Sequence, residues 1–440
     1  MSYRIRHKEF GVPGQEERRI IENVLIMQGG GSLGAFACGA YKALVRKNIR
    51  VDIAAGTSIG AVNAAIIVGS KSGHPEKDLE EFWLEIAESN YHLIPDIYVP
   101  GYTSNGKGYT TRKISSAAAN AAVFGVPKMF VPRWFQWGVN RHMTEKRDVL
   151  GEGNSQSHFL SSSDFDTRSW TYIYDHSPLA RTLDKYIDYK KLCPDGTKES
   201  QKVSHLVMTG VDVLTAEPLI FDNTKMKINA RHVLASSGYP VYGFPWIQLE
   251  KEENSNHKDD GAKHAIFTYA WDGSLLSNTP IREVLSVSPR NDKNIFVVEN
   301  YPRKIKKLPS DMAEVQSRAK DILFSDKDMG TIKMSRLITK QIRLIKRLYS
   351  IFETQQAANQ SKVNPNEVKE IKSEYNKLIR NHGAQILSVT RIIRSAMDSP
   401  TILQNADFSS PTVKELISQG ERKTLEELNY CEKVHYDFNR

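Results

Sequence analysis

Two glycine-rich segments near the start of the chain hold residue types that do chemistry. Gly56-Thr57-Ser58-Ile59-Gly60 sets a serine between glycines at G-x-S-x-G spacing. Between a strand and a helix, that spacing makes a sharp turn that lifts the serine hydroxyl above the sheet edge. The glycines stand where side chains would collide with the adjoining strand and helix. Gly29-Gly30-Gly31, followed by Gly34, has two readings. Gly29, Gly31 and Gly34 satisfy G-x-G-x-x-G, the mark of a dinucleotide-binding turn. That reading wants an acid about twenty residues on, at the end of the second strand, to hold a ribose. Asp52 has the distance but stands at the start of that strand, whose end is the Ser58 segment. In the other reading, the backbone N–H groups of Gly29, Gly30 and Gly31 point at a carbonyl attacked by Ser58. Preorganised donors of this kind stabilise an oxyanion by about 3–4 kcal/mol each. A glycine cradle beside a serine turn favours acyl transfer over hydride transfer.

The elements that must position these residues are legible around them. Val24–Met27 and Val51–Ala55 are apolar runs of strand length. Each feeds a helix, Leu33–Val45 and Ala61–Val68. Apolar strands alternating with helices predict a buried, mostly parallel sheet. Both turns then lie on one sheet edge. Further strands are expected at Ser204–Val213, Leu219–Phe221, Ala265–Trp271 and Asn294–Val298.

A nucleophilic serine needs a base. His382 and His435 follow every candidate acid, but both sit far along the chain in a basic helical region. Ser58 also comes after only two strands, too early for an α/β-hydrolase nucleophile. Asp272 ends an expected strand at Asp272-Gly273-Ser274, where a carboxylate reaches the same edge; an ordinary Asp-Gly turn is the plainer reading of those residues. His7, His205, His232, His257 and His264 have no metal-ligand spacing. Asp212 and Asp222 flank an expected hairpin, where turn roles suffice.

These blocks together resemble the patatin-like phospholipase family from about Asn23 to Asn300. They are Gly29–Gly34, the turn around Ser58, Ala235-Ser236-Ser237-Gly238-Tyr239-Pro240, and Asp272-Gly273-Ser274 followed by Asn278 and Pro280. The resemblance implies a three-layer α/β/α fold with a mostly parallel central sheet. It implies a dyad of Ser58 as nucleophile and Asp272 as proton acceptor, with no catalytic histidine. It also implies an oxyanion hole at Gly29, Gly30 and Gly31, with Gly34, Gly56, Gly60 and Gly273 as supports. The expected activity is hydrolysis of lipid acyl esters without metal or cofactor. Two departures stand out: Leu33 replaces the Arg or Lys of many members, and Ser274 replaces a Gly or Ala. A dinucleotide-binding oxidoreductase and a catalytically silent interaction protein are the alternatives.

Composition narrows the class. The chain has 440 residues, 40% hydrophobic and 25% charged, with a mean hydropathy of −0.45. That is ordinary for a globular chain of about two domains. No apolar run nears the ~20 residues of a spanning helix, and Met1–Phe10 has no signal-peptide core. Cys38, Cys193 and Cys431 are odd in number and far apart, which argues against a disulfide framework. A cytoplasmic protein is expected, peripheral to membranes at most, with no nucleic-acid partner. The sequence leaves the oligomeric state open.

The net charge of +9 is uneven: residues 301–440 hold 25 Lys+Arg against 17 Asp+Glu. The texture changes near Pro302, which suggests an N-terminal extension (1–22), a catalytic domain (23–302) and a basic helical region (303–440). Within that last region, residues 336–352 form an amphipathic pattern. Leu337, Ile338, Ile342, Leu344, Ile345, Leu348, Ile351 and Phe352 share one half of a helix. Arg336, Lys340, Arg343, Lys346 and Arg347 share the other. Such a helix lies on an anionic membrane or docks on the protein, and the width of the apolar arc favours docking. The stretch from Gly101 to Arg168 lacks clear periodicity; its aromatic part, Phe124–Trp137, reads equally as a lid or as core.

Overall fold

The structure, a computed structural model, describes residues 20–91, 93–102, 109–114, 116–134, 170–194, 205–250, 267–305, 308–309, 312–325, 327–357, 364–395 and 404–438. The chain opens with β1 (Ile21–Met27), a 3₁₀ turn at Gly31–Gly34 and α1 (Ala35–Arg46). Next come β2 (Ile53–Gly56), α2 (Ile59–Gly69) and α3 (Pro75–Glu88). A hairpin of β3 (Ile97–Tyr102) and β4 (Tyr109–Ile114) precedes α4 (Ala117–Phe124), and β5 (Val131–Pro132) pairs with β6 (Tyr174–Asp175). Then follow α5 (Ser177–Tyr186), β7 (His205–Asp212), β8 (Pro218–Asp222), α6 (Ala230–Ser237), β9 (Ile247–Glu250) and β10 (Phe267–Asp272). The remainder is α7 (Ile281–Val287), β11 (Asp292–Glu299), α8 (Met312–Ser325), α9 (Lys327–Ala357), α10 (Pro365–His382), β12 (Ile386–Ile393) and α11 (Ser410–Phe438).

The central sheet has the order β12-β11-β1-β2-β7-β10-β9, with β8 also on β7. The run from β12 to β7 is parallel, and β8, β9 and β10 add antiparallel strands. The expected strands fall within or largely on β1, β2, β7, β8, β10 and β11; Ser204, Ala265 and Ile266 lie outside the described residues. Alternation along β1 splits the core in two. Leu25 and Met27 join Phe36, Leu44, Ile66 and Trp83 on one face, while Val24 and Ile26 meet Ile281 and Val284 of α7 on the other. A sheet covered on both faces makes three layers. α2 is buried along its whole length, which is why its sequence is apolar all round rather than striped.

The region after 302 is not helical throughout, contrary to the expectation from its sequence. Ile386–Ile393 is a strand, and β12 extends the sheet in parallel with β11. Its β-branched residues alternate between buried and open positions, a period-2 pattern that favours a strand once Gly383 has ended α10. α11 then crosses α1 at a glycine-to-glycine contact. A Cβ on Gly39 would lie 1.8 Å from the Ile417 carbonyl oxygen, and one on Gly420 would lie 2.0 Å from that of Phe36. No helix among the described residues is long and apolar enough to cross a membrane. Within 101–168, the described part holds β3, β4, α4 and β5; Phe135 and Trp137 lie outside the described residues.

Candidate active site

Ser58 stands between β2 and α2 with φ 58° and ψ −130°, a region costing about 1–3 kcal/mol for a residue with a side chain. The surroundings impose it. The Ser58 N–H donates to the Ser236 carbonyl at 2.9 Å, and Ala61 N–H closes the first turn of α2 on the Ser58 carbonyl at 2.9 Å. The flanking glycines leave no alternative path. A Cβ on Gly56 would lie 2.1 Å from the Gly60 carbonyl oxygen, and one on Gly60 would lie 2.1 Å from that of Met27.

Strand register brings Asp272 to this turn. Gly56 pairs with Met208 in the parallel β2–β7 ladder, so two residues later the chain is level with Gly210. Asp272 pairs with Gly210 in the antiparallel β10–β7 ladder. Because β8 takes the other edge of β7, β2 and β10 meet head to head over Gly210. The Asp272 carboxyl is fully buried. Its Oδ1 accepts the Ser274 N–H at 2.8 Å, and its Oδ2 completes no hydrogen bond among the described residues. Burial pushes its pKa up to about 6, while the neighbouring Ser58 hydroxyl and the Ser274 groups favour the charged form. A carboxylate held ready to accept a proton at neutral pH is what a general base requires.

The glycine loop is fastened from below. Gln28, fully buried, donates through Nε2 to Thr279 Oγ1 at 2.8 Å and accepts the Asn300 N–H at 2.9 Å. Asn300 Nδ2 donates to the Gln28 and Gly29 carbonyls, each at 3.1 Å. Gly29 abuts Ser58: a Cβ there would lie 2.8 Å from Ser58 Cβ. Its N–H donates to Asn278 Oδ1 at 3.0 Å. The N–H groups of Gly30 (φ 152°) and Gly31 (φ 57°) have no such partner among the described residues. Asn278 also accepts the Ser274 hydroxyl at 3.1 Å, and Ser274 fits without displacing the loop. Gly273 packs where a Cβ would strike Thr209 Oγ1 at 2.4 Å, and Gly34 where one would strike Ile59.

Ser58, Gly30, Gly31, Ser274 and Asn278 open on one cavity. Its lining includes the apolar Ile59, Val62, Met129, Phe130, Leu179 and Phe244, with Phe130 in ring contact with Phe244 and Phe408. A second aromatic group joins Tyr239 and Tyr242, and Tyr301, through Phe324, and the charge of Asp272 bears on all three hydroxyls. Phe324, Asn405, Ala406 and Phe408 complete the wall from beyond residue 302. The Asn405 carbonyl oxygen presses on the cradle, 2.2 Å from a Cβ built on Gly31.

The chain matches the Patatin-like phospholipase family over residues 25–285. It belongs to the patatin-like phospholipase family. In this patatin-like phospholipase, the cavity wall from Phe324 to Phe408 is contributed from outside the matched residues. Among solved structures, the chain is similar to VipD from Legionella pneumophila at 13% identity and a TM-score of 0.33, over 93% of this chain and 67% of that one. No curated protein matches.

The remaining candidates have structural roles. Asp52 accepts the Asn23 N–H at 2.9 Å at the far end of β2 from Ser58, away from any ribose that the glycine loop would hold. His205 Nε2 and Asp222 Oδ1 pair at 3.0 Å across β7 and β8, and His232 belongs to the capping box of α6 with Asn229. Asp212 accepts Leu214 and Thr215 N–H groups in the hairpin turn. His382 ends α10; His7, His257 and His264 lie outside the described residues. No group of His, Cys, Asp or Glu among the described residues is arranged for a metal. His176, which sequence reasoning misses, lines the cavity. Its Nε2 bonds the Leu234 carbonyl at 3.2 Å, and burial holds its pKa down to about 4, so it is neutral. Only its place before Ser177-Pro178, at a helix start, marks it in the sequence.

Proposed function

We propose that the chain hydrolyses lipid carboxyl esters through a Ser58–Asp272 dyad. The observation that carries this reading is a strained serine facing a buried, proton-accepting carboxylate in a largely apolar cavity. Asp272 takes the Ser58 proton as Oγ attacks the ester carbonyl carbon. The N–H groups of Gly30 and Gly31 hold the oxyanion, and Gly29 contributes space and anchorage. Collapse of the tetrahedral centre expels the alcohol, which takes its proton from Asp272. A water then gives a proton to Asp272 as it attacks the acyl-enzyme, and Ser58 Oγ takes that proton back as it leaves, releasing the fatty acid. The reaction so written needs no metal or cofactor.

The same chemistry orients the substrate. The leaving alcohol must reach Asp272, so it belongs on the tyrosine side, and the acyl chain belongs against Phe130, Phe244 and Phe408. Ala406→Phe should therefore shift the preference among p-nitrophenyl esters toward short acyl chains, at least about tenfold in the long-to-short ratio of kcat/KM. An unchanged ratio would place the acyl chain elsewhere.

The deciding experiment is covalent labelling. A fluorophosphonate should label the wild-type protein at Ser58 and leave Ser58→Ala unlabelled, with ester hydrolysis persisting in excess chelator. Folded wild-type protein that neither labels nor hydrolyses any ester would be a catalytically silent member, and the proposal would fail.

A further inference from the structure

α8 and α9 face inward with polar or cavity-lining groups and outward with apolar ones. On α8, Arg318 donates to the Pro302 and Arg303 carbonyls at 2.8 and 2.6 Å. Asp321 and Ser325 are buried, and Phe324 stacks on Tyr301 in the cavity wall with ring centres 5.0 Å apart. The opposite side carries Met312, Val315, Ile322 and Leu323, between 47% and 67% exposed.

α9 repeats the arrangement. Thr339 and Ile342 are buried, Arg343 Nε donates to Gln385 Oε1 at 2.8 Å, and Lys346 Nζ donates to the Gly383 carbonyl at 2.9 Å. At about 100° per residue, the far side carries Met334, Leu337, Ile338, Leu344, Leu348 and Ile351, between 42% and 58% exposed. This reverses the sequence expectation that the apolar arc docks on the core. Arg343, Lys346 and Ile342 anchor the helix, and most of the arc faces out.

Besides Arg343, the exposed basic residues of α9 among those described are Lys333, Arg336, Lys340 and Arg347. By the same helical geometry they border one side of the apolar stripe. α9 holds seven Lys+Arg against two Asp+Glu. Apolar stripes on adjoining helices, bordered by one sign of charge, call for an apolar and anionic partner. A second copy of this chain would set like charges against each other. A lipid surface supplies both halves, and it holds the substrates that the proposed function assigns.

We propose that the outer faces of α8 and α9 dock on anionic bilayers. The docked surface then lies about one helix diameter, roughly 10 Å, from the catalytic cavity, because Phe324 on the inner side of α8 is part of the cavity wall. The proposal draws on the hydrolase reading only in preferring lipid to protein.

Vesicle sedimentation with the full chain tests it. Wild type and Ser58→Ala should bind phosphatidylcholine vesicles containing about one-third phosphatidylglycerol equally well, and more tightly than pure phosphatidylcholine. Leu337→Ser/Leu344→Ser/Leu348→Ser and Lys333→Gln/Arg336→Gln/Lys340→Gln/Arg347→Gln should each weaken that binding at least about tenfold. Both should keep wild-type melting and wild-type turnover of a soluble short-chain ester, since the altered side chains are exposed. Wild type that ignores anionic vesicles, or variants that bind as wild type does, would overturn the proposal. So would a wild-type dimer by light scattering that the serine variant loses, because the stripe would then be a self-association surface. Binding that succeeds in a protein with no esterase activity would separate this proposal from the hydrolase reading.

Discussion

Asp272→Asn is expected to lower kcat/KM on a soluble ester by at least about 10⁴-fold, the scale seen when a catalytic triad loses its carboxylate. The same change should stabilise the fold at alkaline pH. Burial raises the folded pKa of Asp272 from its ordinary 3.8 to about 6, so the folded state binds this proton more tightly than the unfolded state does. Its contribution to stability is complete below the unfolded value and is lost as pH rises through about 6. At pH 8 the wild type keeps a buried charge that asparagine lacks, and the variant should be more stable by about 1–3 kcal/mol. Near pH 4 the difference should vanish. Paired denaturation curves at the two pH values check the stability, and wild-type kcat/KM should climb with pH through about 6. An Asp272→Asn protein with near-normal turnover would remove Asp272 as the base.

Gly60→Ala should be among the most damaging single methyls in the site. Its Cβ would meet the Met27 carbonyl oxygen at 2.1 Å and that of Gln28 at 2.9 Å, and neither backbone can yield without moving β1 or the cradle. Overpacking against main chain should cost about 2–4 kcal/mol. The serine would also move relative to Gly30 and Gly31, so kcat should fall at least about 100-fold. A Cβ on Gly330, in α9, would meet nothing within 4 Å among the described residues, and Gly330→Ala serves as the control. Equal melting and equal kcat for Gly60→Ala and the control would show that the turn tolerates a side chain.

The sheet around Ser58 is legible in the sequence because local rules and global fold agree there. Buried parallel strands must be apolar throughout, and the turn they feed needs glycines for contact reasons that hold in any sequence. Asp272 is legible from its position at a strand end; its meeting with Ser58 depends on the head-to-head register over Gly210, which no local pattern carries. The Asn278 side chain that accepts the Gly29 N–H lies 249 residues away, a contact that no local pattern in the glycine loop carries. β12 escapes the sequence reading because short apolar runs such as Ile386–Ile393 suit a helix or a strand, and its partner β11 decides. The α9 arc escapes it for a related reason. Periodicity identifies a two-faced helix but not which face meets the protein, and here polar contacts from Arg343 and Lys346 hold it.

The crossing of α1 and α11 at Gly39 and Gly420 bears on the order in which the molecule is made. β1 sits between β2 and β11, and β11 in turn awaits β12, so the strand that leads into the glycine cradle is flanked by segments synthesised far apart. Long-range pairings of this kind close late and slowly. A nascent chain that has displayed Ser58 outside the ribosome still lacks Asp272, then the Asn300 clasp, then the Asn405 carbonyl against Gly31. The glycine cradle and the contacts that fasten it are thereby complete only after translation has passed residue 420.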